Sequence, residues 1–148
     1  MSELLLREAE ARNILRGWCP GTNPILADEN YTLVKDEEAA KVAGKVHATT
    51  SEVLRTWSLD RADCDKFSVL GMVVMQVSHA LHSSAQAGIA FGFLHYRRTS
   101  DKTRHSINVM LTRVAGEQRI NVRCFDPQTG EEVVLTAAEI RSITTIYM

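Results

Sequence analysis

No stretch of this chain approaches the roughly 20 consecutive apolar residues that a bilayer span requires, so a transmembrane helix is not expected. Positive charge is not in excess either. Lys and Arg total 17 against 18 Asp and Glu, a net charge of −1, and the basic residues are scattered. There is no basic face for nucleic acid and no polybasic patch for an anionic membrane. Cysteine is scarce and odd in number, at three, which argues against a disulfide framework and for free thiols in a reducing compartment. The opening "MSELLLREAEARNILRGW" lacks a basic n-region and a long apolar core, since acidic residues begin at Glu3 and the apolar run stops at Leu6. A classical secretion signal is therefore not expected. A cytoplasmic location follows, or delivery as an effector by a route without such a signal. What is present is ordinary. The 148 residues are 45% hydrophobic and 24% charged, with no internal repeat, which describes one globular domain.

Along the chain, Leu4, Leu5, Ala9, Ile14 and Leu15 alternate with charged residues at helical spacing, predicting a helix over 3–16 that Gly17 ends. "GWCPGTNP" is a loop that places Cys19 in irregular structure. Residues 35–57 read as one helix or two, with Asp36 as a cap and Gly44 as a break. Residues 65–87 read as a largely buried helix with a narrow polar seam of Ser68, Gln76, His79, Ser83 and Gln86, stopped by Gly88. The period then changes to two. "GIAFGFLHY", "HSINVMLTRV", "QRINVRCF" and "EEVVLT" predict antiparallel strands joined by hairpins, and "TAAEIRSITTIYM" a short helix followed by a last strand. The expected class is α+β, with N-terminal helices packed on one face of a C-terminal antiparallel sheet of about four to five strands. Residues 1–30 would be an N-terminal extension to a single domain.

The segment "ADCDKFSVLGMVVM" sets Cys64 where a polar stretch becomes the long apolar helix. A thiol attacks as thiolate, and the unpaired N–H groups of a helix first turn favour that anion and can also hold an oxyanion. Cys19 sits in a loop with no helix behind it, and Cys124 lies inside a strand. The flanking Asp63 and Asp65 oppose activation if they face the sulfur, although Asp63 is also placed to cap the helix. A nucleophilic thiol needs an imidazole and a third group to orient it. His79 and His82 lie three apart, a spacing compatible with a shared metal, but no carboxylate or thiol stands at ligand spacing, so a polar helix face is the plainer reading. His47 falls in a polar helical segment, and His95 near a strand end is a reserve base. His105 opens a strand, and Asp126 ends the next one at the turn "DPQTG". First and last residues of adjacent antiparallel strands lie side by side, so His105 and Asp126 should meet, with Gln128 as a second candidate orienter.

Cysteine at a helix start ("DCDKF", 63–67), "GIAFGFLHY" at 88–96, "HSINV" at 105–109 and "FDPQTGE" at 125–131, in that order, resemble the papain-like cysteine proteases. The likeness is strongest to the papain-fold toxin domains of bacterial polymorphic toxins and to the cysteine-protease domain at the C-terminal end of certain fungal agglutinins. It covers about residues 31 to 148, and Cys64 and His105 stand 41 residues apart, as in a compact member. The resemblance implies a cysteine hydrolase that cleaves an amide in a protein or peptide substrate. Cys64 would be nucleophile, His105 general base, and Asp126 the third member, or Gln128 as in papain-fold glutamine deamidases. Glutamine deamidase, transglutaminase-type effector and inactive papain-fold binding module are the alternatives. Two departures stand out. Papain-type peptidases carry an oxyanion-hole glutamine before the nucleophile, and "RTWSLDRAD" has none. The agglutinins carry a sugar-binding module ahead of the protease domain, and this sequence has no room for one. No cofactor is required on sequence grounds. The calcium dependence of the agglutinin domains implies a Ca²⁺ site, for which Asp60, Asp63 and Asp65 are the ligands available. Solvated and capping carboxylates are the plainer reading.

Overall fold

The computed structural model describes residues 5–56, 64–84 and 86–148. The order is β1 (Leu5–Arg7), α1 (Glu8–Trp18), β2 (Asn30–Thr32), β3 (Val34–Lys35), a 3-10 turn (Asp36–Glu38) and α2 (Ala39–Thr56). There follow α3 (Cys64–His82), β4 (Gly88–Ile89), β5 (Phe91–Arg97), β6 (Arg104–Arg113), β7 (Ile120–Phe125), α4 (Ala137–Arg141) and β8 (Thr145–Tyr147). The class is α+β, as the pattern predicted. The main sheet runs β3-β6-β5-β8 with β7 on β6, and a small sheet runs β1-β2-β4. The sheets are mixed, because β3 lies parallel to β6 and β4 parallel to β2.

The strand β6 organises the molecule. Residues His105 to Thr112 are all buried, which is why the segment reads as nearly continuous apolar sequence. Ile107, Val109 and Leu111 join Leu94 and the α1 residues Ala11 and Leu15 in one core. On the other face, Met110 joins Phe91 and the α2 residues Ala39, Ala43 and Val46. Helices therefore cover both faces, not one as expected. A central strand that is apolar on both sides needs two covers. Residues 5–30, part of the segment expected as an extension, supply one of them. Leu6, Ala11, Leu15 and Cys19 lie in the core, and Ile25 exchanges backbone hydrogen bonds with the β8 segment at Ile146 and Met148.

Local differences have local causes. Leu5–Arg7 pairs with Asn30–Thr32 and so forms a strand where a helix was expected to begin. Gly44 does not interrupt α2. Asp36 is no helix cap: its carboxylate accepts from the Thr112 hydroxyl at 2.5 Å and stands 3.4 Å from the Arg123 guanidinium. "EEVVLT" is not a strand; it holds a single bridge, Phe125 to Glu132, and Val134 is 87% exposed. The helix α3 ends at His82, well before Gly88.

The orientation of α3 is the largest departure. Its small and polar side faces the sheet. Ser68 and Gly71 are buried, and Gly71 lies so close that a Cβ there would stand 2.7 Å from Asn108 Oδ1. The Gln76 amide donates to the carbonyls of Ile89 and Phe91, and the Asn108 amide donates to those of Ser68 and Gly92. Meanwhile Val69, Val73, Val77 and Leu81 are exposed. The seam is inward because the strand backbones and Asn108 present polar groups that must be paired on burial.

Candidate active site

The helix α3 begins at Cys64, as the sequence indicates, and its thiol is half-buried. The sulfur's described contact is with Asp65 Oδ1, at 3.9 Å. That carboxylate stands 3.6 Å from His95 Nε2. An anion beside the thiol opposes thiolate formation, and a protonated His95 offsets it. Asp60 and Asp63, with the whole segment 57–63, lie outside the described residues, and with them the capping role of Asp63. Among the described residues no group of three or more His, Cys, Asp or Glu side chains is gathered for a metal.

His105 and Asp126 meet, as their strand positions predict. The His105 Nε2–H donates to Asp126 Oδ2 at 3.1 Å, and the imidazole is 7% exposed. The second carboxylate oxygen accepts the backbone N–H of Gln128 at 2.8 Å. Gln128 thus reaches the pair through its main chain, and Asp126 is the residue that orients the ring. The turn is closed by Gly130, whose φ of 77° suits glycine and whose N–H donates to the Asp126 carbonyl at 2.7 Å. His47 clamps it from α2, its Nδ1 bonding the Pro127 carbonyl at 2.8 Å. Burial resists ionisation of Asp126. The His105 hydrogen bond, the Gln128 N–H and the charges of His105 and Arg98 outweigh it and hold the carboxyl below its ordinary range. With Asp126 ionised, Nε2 carries the ring hydrogen and Nδ1 is the basic nitrogen.

The two halves stand at one end of the sheet. Ser68, one helical turn after Cys64, touches Ser106, the neighbour of His105, with the two hydroxyl oxygens 2.5 Å apart. Alternation then separates them. Ser106 faces α3, whereas His105 starts on the other face, where its ring meets the edge of Tyr96 at 5.8 Å. His95, paired in register with Ser106, starts on the α3 side. Of the two imidazoles at this end of the sheet, His95 is linked to Cys64 through Asp65, and His105 is held by Asp126 and starts on the face away from α3.

Other sequence candidates resolve simply. Cys19 and Cys124 are buried, and burial pushes the Cys124 thiol far up. Cys19 bonds the Ile140 carbonyl at 3.4 Å. The His82 Nδ1 bonds the Ser78 carbonyl on its own helix at 2.7 Å, while His79 lines a polar cleft of about 430 Å³ with Asp28, Glu29 and Gln86. The parts that sequence reasoning missed are His47, Arg98 and the Asp65–His95 pair. Asp65 carried a signal in its position next to the thiol, and His95 one as a reserve base near a strand end; His47 and Arg98 carried none.

Asp126 makes a pH prediction. A carboxyl whose folded pKa is lowered stabilises the fold above its unfolded value of about 3.9 and loses that contribution as pH falls through the folded value. Asp126→Asn should lower the urea midpoint at pH 7 by the equivalent of about 1–3 kcal/mol. It should also flatten the acid limb of a midpoint-against-pH curve below about pH 4. An acid limb identical to that of the unaltered chain would deny the His105–Asp126 pair its part in stability.

This is a three-layer α+β protein with a thiol at a helix start and, at the same end of its sheet, a buried imidazole bonded to a half-buried carboxylate. Neither a protein-family model nor a curated protein matches the chain. Among solved structures it is similar to a Polyporus squamosus lectin bound to the human-type influenza-binding epitope Neu5Aca2-6Galb1-4GlcNAc. The TM-score is 0.69 at 16% identity, covering 98% of this chain and 50% of that one. It is also similar to the PSL1a–E64 complex, with a TM-score of 0.66 at 17% identity, covering 97% of this chain and 50% of that one. These likenesses establish a shared fold, and this chain spans half the length of both neighbours.

Proposed function

We propose that the chain is a papain-like cysteine hydrolase acting on amide bonds of proteins or peptides. Cys64 is the nucleophile, His105 the general base and later acid, and Asp126 the residue that fixes the ring. One observation carries the reading: a half-buried carboxylate holds the His105 ring through Nε2, leaving Nδ1 as proton acceptor at the end of the sheet where α3 opens with Cys64. In the reaction the thiol proton passes to Nδ1, sulfur bonds to the carbonyl carbon, and the C–N bond breaks as the imidazolium returns a proton to the leaving nitrogen. Water then cleaves the thioester. Backbone N–H groups of the first turn of α3 face the oxyanion. The same acyl-enzyme serves a glutamine deamidase, which releases ammonia, and a transglutaminase, which admits an amine in place of water.

Two further facts support the reading. The motifs resemble the protease domain of fungal agglutinins, and the fold is similar to that of a Polyporus squamosus lectin. The matched region is half of that lectin chain, as for one module of two. E64, present in the second neighbour's complex, is the first inhibitor to try.

A second reading has its own observation. The Asp65 carboxylate at the sulfur favours a binding module that keeps the fold without the activity. The glycan held by the first neighbour is the ligand class to test for it.

Iodoacetamide separates the two readings. Cys19 and Cys124 are buried, so preference for Cys64 follows from access alone and decides nothing. The pH profile decides. An imidazole-paired thiolate alkylates at a rate that stays high well below the ordinary thiol pKa of about 8.5. A rate that rises only through that ordinary value, unchanged in His105→Ala, would leave the binding module standing.

A further inference from the structure

One peptide unit of the Asp126 turn is bonded at both of its ends. The carbonyl of Pro127 accepts from His47 Nδ1 at 2.8 Å, and the N–H on the far side of the same amide, that of Gln128, donates to Asp126 Oδ1 at 2.8 Å. A carbonyl only accepts, so His47 carries a hydrogen on Nδ1. The amide is planar, and an imidazole that fixes the direction of its C=O therefore fixes the direction of its N–H. The other carboxylate oxygen, Oδ2, accepts from His105 Nε2 at 3.1 Å. An unbroken series of hydrogen bonds thus runs from α2 to His105. Donation to the carbonyl also polarises the amide and strengthens its N–H as a donor.

The turn makes room for the ring. A Cβ at Gly130 would stand 3.2 Å from His47 Cβ and 3.3 Å from its Cγ, so glycine serves there for close approach as well as for its φ of 77°. The other backbone bonds of the turn are internal. The Asp126 N–H donates to the Glu131 carbonyl, and the N–H groups of Thr129 and Gly130 donate to the Asp126 carbonyl. They close the loop without touching the amide between Pro127 and Gln128. That amide answers to His47 on one side and to Asp126 on the other.

We propose that His47 is a positioning residue of the site: through the peptide unit between Pro127 and Gln128 it orients the Asp126 carboxylate, and through that carboxylate the ring of His105. Its consequence for catalysis rests on the proposed hydrolase function. The orientation itself does not, and the two are read by different signals.

Asparagine and glutamine at position 47 provide the test, because the Asn side chain puts its amide nitrogen where histidine has Nδ1 and the Gln side chain puts it a bond farther out. In nuclear magnetic resonance spectra of the ¹⁵N-labelled chain, the Gln128 amide proton should move upfield in His47→Gln, and the His105 Nε2–H signal should be lost to exchange. Both should return in His47→Asn. The Asp126 carboxyl should titrate at higher pH in His47→Gln, since the Gln128 N–H is one of the bonds that favour its charged form. Alkylation of Cys64 by E64 should slow by about 10- to 100-fold in His47→Gln, the scale of a displaced reacting group, with initial binding of the inhibitor unchanged, and should recover in His47→Asn. Gln128 and His105 signals that are the same in the two substituted chains overturn the inference and reduce His47 to packing. In the unaltered chain, where folding is not in question, a neutral His47 ring with its hydrogen on Nε2 overturns it as well. Signals that move and return as stated, in a chain whose Cys64 is unreactive throughout, uphold the positioning role and remove the hydrolase instead.

Discussion

Replacing His105 with Ala should slow amide cleavage, or alkylation of Cys64 by E64, by about 10²- to 10⁴-fold, the range expected when a positioned general base is removed. Replacing His95 with Ala should change the rate by less than about tenfold. The contrast matters because His95 stands on the α3 side of the sheet and His105 starts on the other. His95 approaches Cys64 through Asp65, at 3.6 Å from that carboxylate, with its own Nε2 buried and making no hydrogen bond. His105 has what a catalytic base requires and His95 lacks: a carboxylate hydrogen-bonded to one nitrogen, which dictates which nitrogen is basic. Asp126→Ala should fall toward the His105→Ala rate, since a ring without its anchor samples the wrong tautomer and orientation. Gln128→Ala should be nearly silent, because Gln128 contributes a backbone N–H that alanine retains. A large loss in His95→Ala with a small one in His105→Ala would transfer the base to the α3 side of the sheet. Equal, small losses in both would remove the enzymatic reading.

Gly92→Ala should be the most destabilising single substitution outside the site, costing about 3 kcal/mol or more through a clash that backbone must absorb. Gly92 lies in β5 opposite Val109 and beside β8. A Cβ there would overlap the Tyr147 carbonyl and come within 2.9 Å of Met148 Cα. Nothing flexible lies in the way to yield. Displacing β8 also loosens what the C-terminus ties down, namely the Ile25–Ile146 pairing and the Tyr31 hydroxyl on the Met148 carbonyl. Asn108 loses geometry as well, since its amide donates to the Gly92 carbonyl. The control is Gly44→Ala in α2, where a methyl group meets nothing within 4 Å and the helix gains propensity of about 0.5–1 kcal/mol. Urea midpoints of the two substitutions should therefore move in opposite directions. A wild-type midpoint for Gly92→Ala would mean that β8 does not pair with β5 as described.

The His105–Asp126 contact and the helix start at Cys64 were legible because these residues sit at element boundaries, where local rules are strongest. A cysteine between a polar stretch and an apolar run marks a helix start. A histidine after one hairpin and an aspartate before the next turn must meet if the strands are neighbours, and they do, at 3.1 Å. The turn "DPQTG" carries its own closure in Gly130. What was not legible was everything that depends on a face. His47, a polar helical residue by pattern, proves to clamp the Asp126 turn from 80 residues away. Asp36, a capping residue by pattern, proves to anchor Thr112 and Arg123. Of the three aspartates that the resemblance offered for calcium, Asp65 stands beside His95 and the thiol, and Asp60 and Asp63 lie outside the described residues.

The inverted α3 shows why. Periodicity measures how apolar residues are distributed around a helix, and it assumes that water is the only polar partner available. Here the sheet presents Asn108 and the carbonyls of Ile89, Phe91 and Gly92, and those groups claim Gln76 and the Ser68 side of the helix. The chain alone thus determined the kinds of element, the order in which they come, and the residues with reactive groups at their ends. Those follow from short-range sterics and hydrogen bonding within a few residues. Which side of α3 turns inward, which of two imidazoles is anchored, and that both faces of β6 are covered were decided only by tertiary contact. Pairing of buried polar groups is settled between elements distant in sequence, and no local period records it.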